Sequence, residues 1–161
     1  MVTVISARAV CGSVLDPELP VITIGDLGIV RDVVESASGH VEVVLTPTYS
    51  GCPATEVIRA DVITALHDAG FPDVEVRYQR APAWTTDWIT DNGRRVLAAH
   101  GIAPPSASGL SGQGVRVELS VQCPQCGSAQ TQLVSRFGAT ACQAMYRCLS
   151  CLEPFDHIKS Y

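Results

Sequence analysis

Two Cys-x-x-Cys pairs, Cys123-Pro-Gln-Cys126 and Cys148-Leu-Ser-Cys151, constrain this chain more than any other stretch. Each pair puts two sulfurs on one side of a tight turn, and two such turns can close a tetrahedron around one soft metal ion. Pro124 stiffens the first turn, and Gly127 can take the positive φ needed just after it. The competing readings are four cysteines without metal, or a pair of disulfides. Knuckle spacing in both pairs favours a metal held by Cys123, Cys126, Cys148 and Cys151. Structural zinc is the first expectation and an iron–sulfur site the second.

The remaining composition narrows the setting. With 161 residues, 47% hydrophobic and 17% charged, the chain is globular, with one good core or a core plus a small satellite. The net charge of -5 argues against a nucleic-acid-binding ribbon, which needs a basic face. No apolar run is long enough to cross a bilayer. The first residues carry no basic leader, and Arg8 interrupts their apolar run. Seven cysteines, four of them at metal spacing, suit a reducing cytoplasm better than a disulfide scaffold.

Read in order, the pattern predicts an α+β body. A short amphipathic helix is expected from about Thr3 to Leu15, ended by Asp16-Pro-Glu-Leu-Pro20. Strands follow over Ile29–Glu35 and Val41–Leu45, joined by a hairpin at 36–39. A helix is expected from about Pro53 to Ala69, with Ile58, Val62, Leu66 and Ala69 at helical spacing and Gly70 as its stop. Val74–Arg80 alternates as a third strand. A second long helix is expected from about Asp87 to His100, with Trp84 and Trp88 packing in the core.

Cys52 stands out in the loop Thr46-Pro-Thr-Tyr-Ser-Gly-Cys52-Pro53. With Pro53 at the first helical position, Cys52 falls at or next to the N-cap, where unpaired N–H groups and the helix dipole favour a thiolate. The alternative is a small buried hydrophobe. Gly51 removes bulk beside it, and Thr46, Thr48, Tyr49 and Ser50 supply hydroxyls, so a functional thiol is expected. Cys142 is left between a packing role and an auxiliary thiol. The scattered His40, His67 and His100 are expected at the surface or at caps.

Residues 103–114, rich in proline, glycine and serine, read as a linker between a body at 1–102 and a cysteine module at 115–161. In that module, strands are expected over Val115–Val121, Thr131–Arg136, Ala144–Arg147 and Phe155–Lys159.

The segments Asp16-Pro-Glu-Leu-Pro20, Asp26-Leu-Gly-Ile-Val30 and Thr46-Pro-Thr-Tyr-Ser-Gly-Cys-Pro53 resemble the iron–sulfur assembly family. Pro82-Ala-Trp-Thr-Thr-Asp-Trp88, Gly101-Ile-Ala-Pro-Pro105 and the tail from Cys123 through Ser135-Arg-Phe-Gly-Ala-Thr-Ala-Cys142 to Cys151-Leu-Glu-Pro-Phe-Asp156 resemble the PaaD (PaaJ) family of the aerobic phenylacetate pathway. The resemblance implies a helix-and-three-stranded-sheet body followed by a four-cysteine ribbon. It implies a non-catalytic accessory protein of the phenylacetyl-CoA epoxidase system, which contains a di-iron oxygenase and a flavin- and [2Fe–2S]-containing reductase. It further implies that Cys52 is the working thiol, carrying iron or a transient iron–sulfur cluster, with Asp16, Glu18 and Thr46 near it. Epoxidase subunits, the reductase, iron–sulfur scaffold proteins and a second copy of the chain are the expected partners. The rival readings are a cysteine-dependent enzyme using Cys52 and a small electron carrier with iron in the ribbon.

Overall fold

The computed structural model describes residues 6–105 and 120–160. Most of the expected strand Val115–Val121 and most of the expected linker lie outside the described residues, and Ser120 and Val121 are not in a strand. Contacts divide the chain into two compact units, Met1–Trp84 and Thr85–Tyr161. That division falls ahead of residue 102, where the sequence placed the end of the body.

In the first unit, Ser6 caps α1 (Ala7–Ser13) by accepting a hydrogen bond from the Ala9 N–H. The chain then folds back so that Leu15 bridges Thr23. Antiparallel β1 (Val30–Glu35) and β2 (His40–Leu45) follow, with a register shift between Val30 and Asp32. Helix α2 (Thr55–Asp68) crosses over to β3 (Asp73–Tyr78), which pairs parallel with β2, giving the order β1-β2-β3. Ile58, Val62 and Leu66 of α2 are buried, as are Val41, Val43, Val44 and Leu45 of the central strand. The 3.6-residue and two-residue periods therefore meet in one core. Trp84 is buried, and its indole N–H donates to the Leu27 carbonyl at 2.8 Å, which fixes it as a core residue.

The expected helix over 87–100 is two pieces in the structure. A 3-10 turn covers Thr86–Trp88, and α3 covers Asp91–Ala99. Ile89 is extended, and Thr90 caps α3 by accepting from the Gly93 N–H at 2.9 Å. A second cap inside the apolar pattern breaks the helix there. Trp88 is only half-buried.

After α3 comes β4 (Ile102–Ala103), then β5 (Thr131–Ser135), β6 (Gln143–Cys148) and β7 (Pro154–Ile158), in the order β4-β7-β6-β5. Ala103, expected to open the linker, is instead buried and paired with His157. The His157 ring Nδ1 lies 3.1 Å from the Ala103 carbonyl, so this histidine ties β4 to the ribbon. The ribbon's core is small: Ala103, Val121, Cys123, Cys148 and Phe155, with Tyr146 packed against it. No helix among the described residues is long and apolar enough to cross a membrane.

Candidate metal centre and thiol loop

The two knuckles bring four sulfurs together. The Sγ atoms of Cys123, Cys126, Cys148 and Cys151 all lie within 4.8 Å of one another. Cys123 is 3.7 Å from Cys151 and Cys126 is 3.6 Å from Cys148. Zinc–sulfur bonds of about 2.3 Å require tetrahedron edges of about 3.8 Å, so the sulfurs are spaced for one ion. None of the chain's cysteines forms a disulfide. In each knuckle one sulfur is buried (Cys123, Cys148) and one exposed (Cys126, Cys151).

Local hydrogen bonds build the cage. The Gly127 N–H donates to the Cys123 carbonyl at 2.8 Å, closing the first turn. The N–H groups of Ser150 and Cys151 approach the Cys148 sulfur at 3.4 and 3.5 Å. Led by that of Cys151, they outweigh burial and lower the Cys148 thiol to about 6. Against the lowering effect of the Glu153 backbone, burial and the neighbouring thiols of Cys148, Cys126 and Cys123 push Cys151 the other way, up to about 12, so the proton is shared within the cluster. Across the gap, the hydroxyls of Ser128 and Ser150 lie 2.8 Å apart and link the knuckles.

Gly127 has φ 73, as its sequence position requires, and Leu152 occupies the equivalent place in the second knuckle with φ 67. The lack of a glycine after Cys151 weighs against iron on sequence grounds. The structure removes that objection, because Leu152 adopts the left-handed backbone itself.

The thiol loop differs from expectation at its helix end. The N-cap of α2 is Ala54, with helical φ and ψ and no side-chain cap. Cys52 lies two residues earlier, in a turn closed by Cys52 N–H to the Tyr49 carbonyl at 3.3 Å and Thr55 N–H to the Cys52 carbonyl at 3.4 Å. Two stacked turns use the residues that Pro53 was expected to feed directly into the helix. Cys52 is also only 9% exposed.

Thr46 follows directly on β2 and is 1% exposed, and its hydroxyl has no hydrogen-bond partner among the described residues. Asp16 is buried in the turn after α1, where its Oδ1 accepts from the N–H groups of Glu18 (2.9 Å) and Leu19 (2.8 Å). Burial raises the Asp16 carboxyl above its usual range. Burial, then the Asp16 charge, raises Glu18. Among the described residues, the four-sulfur cluster alone brings three or more Cys, His, Asp or Glu ligand atoms together, so Cys52, Asp16 and Glu18 are not a preassembled cage.

Sequence reasoning missed Tyr78. Its hydroxyl donates to the Thr55 carbonyl at 2.6 Å, and Thr55 Oγ1 donates in turn to the Cys52 carbonyl at 3.1 Å. Burial first, then the charges of Glu56 and Cys52, push the phenol up to about 12. Parallel pairing sets Tyr78 opposite Leu45, at the end of the strand that feeds the Thr46–Cys52 loop, and no local sequence signal carries that pairing. Cys11 is fully buried and its thiol is pushed up to about 11, chiefly by burial, so it is a packing residue. Cys142 is buried, with its sulfur 2.9 Å from the Thr140 hydroxyl.

An α+β unit with a cysteine loop between strand and helix, joined to a four-sulfur ribbon, defines a two-module metal-handling class. Residues 7–77 match the iron–sulfur cluster assembly protein family, and residues 108–159 match the PaaD zinc beta ribbon domain. An Escherichia coli (strain K12) protein named as a component of 1,2-phenylacetyl-CoA epoxidase is 48% identical over 151 residues, 94% of this chain and 89% of that protein. The chain belongs to the PaaD family. The Bacillus subtilis (strain 168) Fe-S protein maturation auxiliary factor YitW is 40% identical over 46% of this chain and 72% of its own length. A crystal structure of a DUF59 domain from Bacillus anthracis superposes with TM-score 0.53 at 28% identity, covering 56% of this chain and 87% of that one.

Proposed function

We propose that this chain is an accessory maturation factor for a phenylacetyl-CoA epoxidase system, helping to assemble or maintain its iron–sulfur or di-iron centre. The carrying observation is that the two sulfur sites have opposite character. The ribbon offers four sulfurs already at metal spacing, two of them buried, which suits an ion that stays. Besides the packing residue Cys11, the body offers Cys52, with no converging set of ligands among the described residues, which suits an ion or cluster that passes through. The names of the two relatives, an epoxidase component and an Fe-S maturation factor, support joining both roles in one chain.

In this reading Cys123, Cys126, Cys148 and Cys151 hold a structural zinc that fixes the ribbon. Cys52 is the working thiol, beside the turn ordered by Tyr78 and Thr55. Bound zinc supplies the ribbon with a closed cross-link between its two knuckles. Cargo iron or a cluster at Cys52 draws its remaining ligands from a partner or a second copy. Because Cys52 is buried, the loop at 48–54 must open to receive it. The test is Cys52→Ser as the sole copy in cells that depend on the epoxidase. The expected result is a folded, zinc-loaded protein and an epoxidase lacking its metal centre. Full epoxidase activity in that strain would sink the working-thiol role.

The electron-carrier reading keeps one specific observation: two N–H groups on the Cys148 sulfur, the arrangement that favours a reducible metal–thiolate. Metal content of protein purified without oxygen separates the two. One zinc in colourless protein supports the maturation factor, and iron with visible absorption supports the carrier.

A further inference from the structure

The second unit carries an apolar groove that the sulfur cluster does not use. It encloses about 310 Å³, opens to solvent, and is lined by Leu133, Phe137, Ala144 and Tyr146 together with Arg136 and Lys159. Leu133 and Tyr146 are opposite each other in the β5–β6 register, so both stand on one face of the ribbon sheet. Phe137 is 69% exposed and Leu133 44%. Scattered apolar residues are ordinary on a surface, but a contiguous set around a concavity marks a contact site.

The cations give the groove a sign. Lys159 is the only lysine of a chain whose net charge is -5. Its ammonium sits 4.6 Å above the Phe137 ring and donates to the Ala141 carbonyl at 2.7 Å, which holds it at the rim. Arg136 has no hydrogen-bond or ion-pair partner among the described residues, leaving its planar donor fork open to a carboxylate. Two cations are too few to grip a nucleic-acid backbone in an acidic chain. An open groove of this size takes one or two side chains rather than a whole cofactor.

We propose that this groove docks an acidic segment of a phenylacetyl-CoA epoxidase subunit. One apolar side chain of that segment fills the space between Phe137 and Tyr146, and an adjacent carboxylate pairs with Arg136 and Lys159. An aromatic anchor beside an arginine is the composition of an interface hot spot, and the cations set register and on-rate. The inference rests on the proposed service to that epoxidase, and it assigns the recognition surface to the ribbon rather than to the Cys52 loop.

The test titrates purified epoxidase subunits, one at a time, against the zinc-loaded full chain by biolayer interferometry at low and high salt. The native chain should bind one of them, more weakly at high salt. Phe137→Ser and Arg136→Glu should each weaken binding at least tenfold, and Arg136→Lys, which keeps the charge but loses the fork, should weaken it less than Arg136→Glu does. Zinc content and thermal unfolding of each variant should match the native chain, because both side chains are exposed. If the native chain binds and the variants bind equally, the groove assignment fails while the maturation reading stands. If the native chain binds none of the subunits, the maturation reading itself fails and takes the groove with it. Self-association lost in the same variants would give the groove to a second copy and overturn the proposal.

Discussion

Leu152 holds a backbone conformation that its side chain disfavours, φ 67, at the turn that presents Cys151. Left-handed backbone costs an ordinary L-residue about 1 kcal/mol relative to glycine. Leu152 is 58% exposed, so little packing offsets that cost. Leu152→Gly should raise zinc affinity a few-fold, and Leu152→Val should lower it, measured by competition with a chromophoric chelator. Equal affinities would mean that the turn's strain is not coupled to the metal. Asp16 gives a second test. Its raised carboxyl binds a proton more tightly in the folded chain than in the unfolded one. Its contribution to stability is therefore present below about pH 4 and is lost as pH rises through the raised value. Asp16→Asn should flatten the slope of Tm as pH rises from about 4, while keeping the turn. Asp16→Ala should cost about 1–3 kcal/mol, because the N–H groups of Glu18 and Leu19 lose their acceptor. At this scale the sequence was legible where chemistry is local. Two Cys-x-x-Cys spacings are enough to pick out the four sulfurs that converge. The burial of Cys52 and the left-handed Leu152 arise from chain segments distant in sequence or from closure of the cage, and no local signal carries them.

Among the elements, the long periodic ones were readable and the breaks between them were not. Helix α2 announces itself through Ile58, Val62 and Leu66, and the strands β1 to β3 through alternation. The interruption of the second helix at Thr90 is a contest between two capping threonines, Thr85 and Thr90, which periodicity cannot judge. Strand β4 is two residues long and exists only because β7 is there to pair with it. Close backbone packing makes one element testable. A Cβ placed on Gly25 would stand 2.6 Å from the Gly12 carbonyl oxygen, at the end of α1. Both partners are backbone, so a helix or a turn must shift. Gly25→Ala should therefore cost about 1–3 kcal/mol, read as a drop in the urea midpoint, while zinc content stays unchanged.

For the whole molecule, the two units should have separate sources of stability. The first has an extended apolar core in which Ile22, Ile24, Val41, Val43, Val62 and Leu66 are at most 1% exposed. The ribbon has a handful of buried residues, two of which are themselves the metal ligands Cys123 and Cys148. Structural zinc sites contribute about 10–16 kcal/mol of apparent binding free energy near neutral pH, more than so small a core can supply. Chelation of the native chain should then melt the ribbon and spare the body. In an amide NMR spectrum, signals from residues 120–160 should collapse to unfolded positions while those from 6–84 stay dispersed. Added zinc should restore the ribbon. Cys148→Ser should mimic the chelator, and Cys52→Ser should change neither set. If chelation unfolded both units together, the body would owe its stability to the zinc site, and a metal centre that merely shapes the ribbon could not explain it. If only the ribbon melts, a loss of the proposed maturation role in Cys148→Ser would trace to the ribbon, and a loss in Cys52→Ser would trace to the thiol loop. The two jobs would then be separable in one chain.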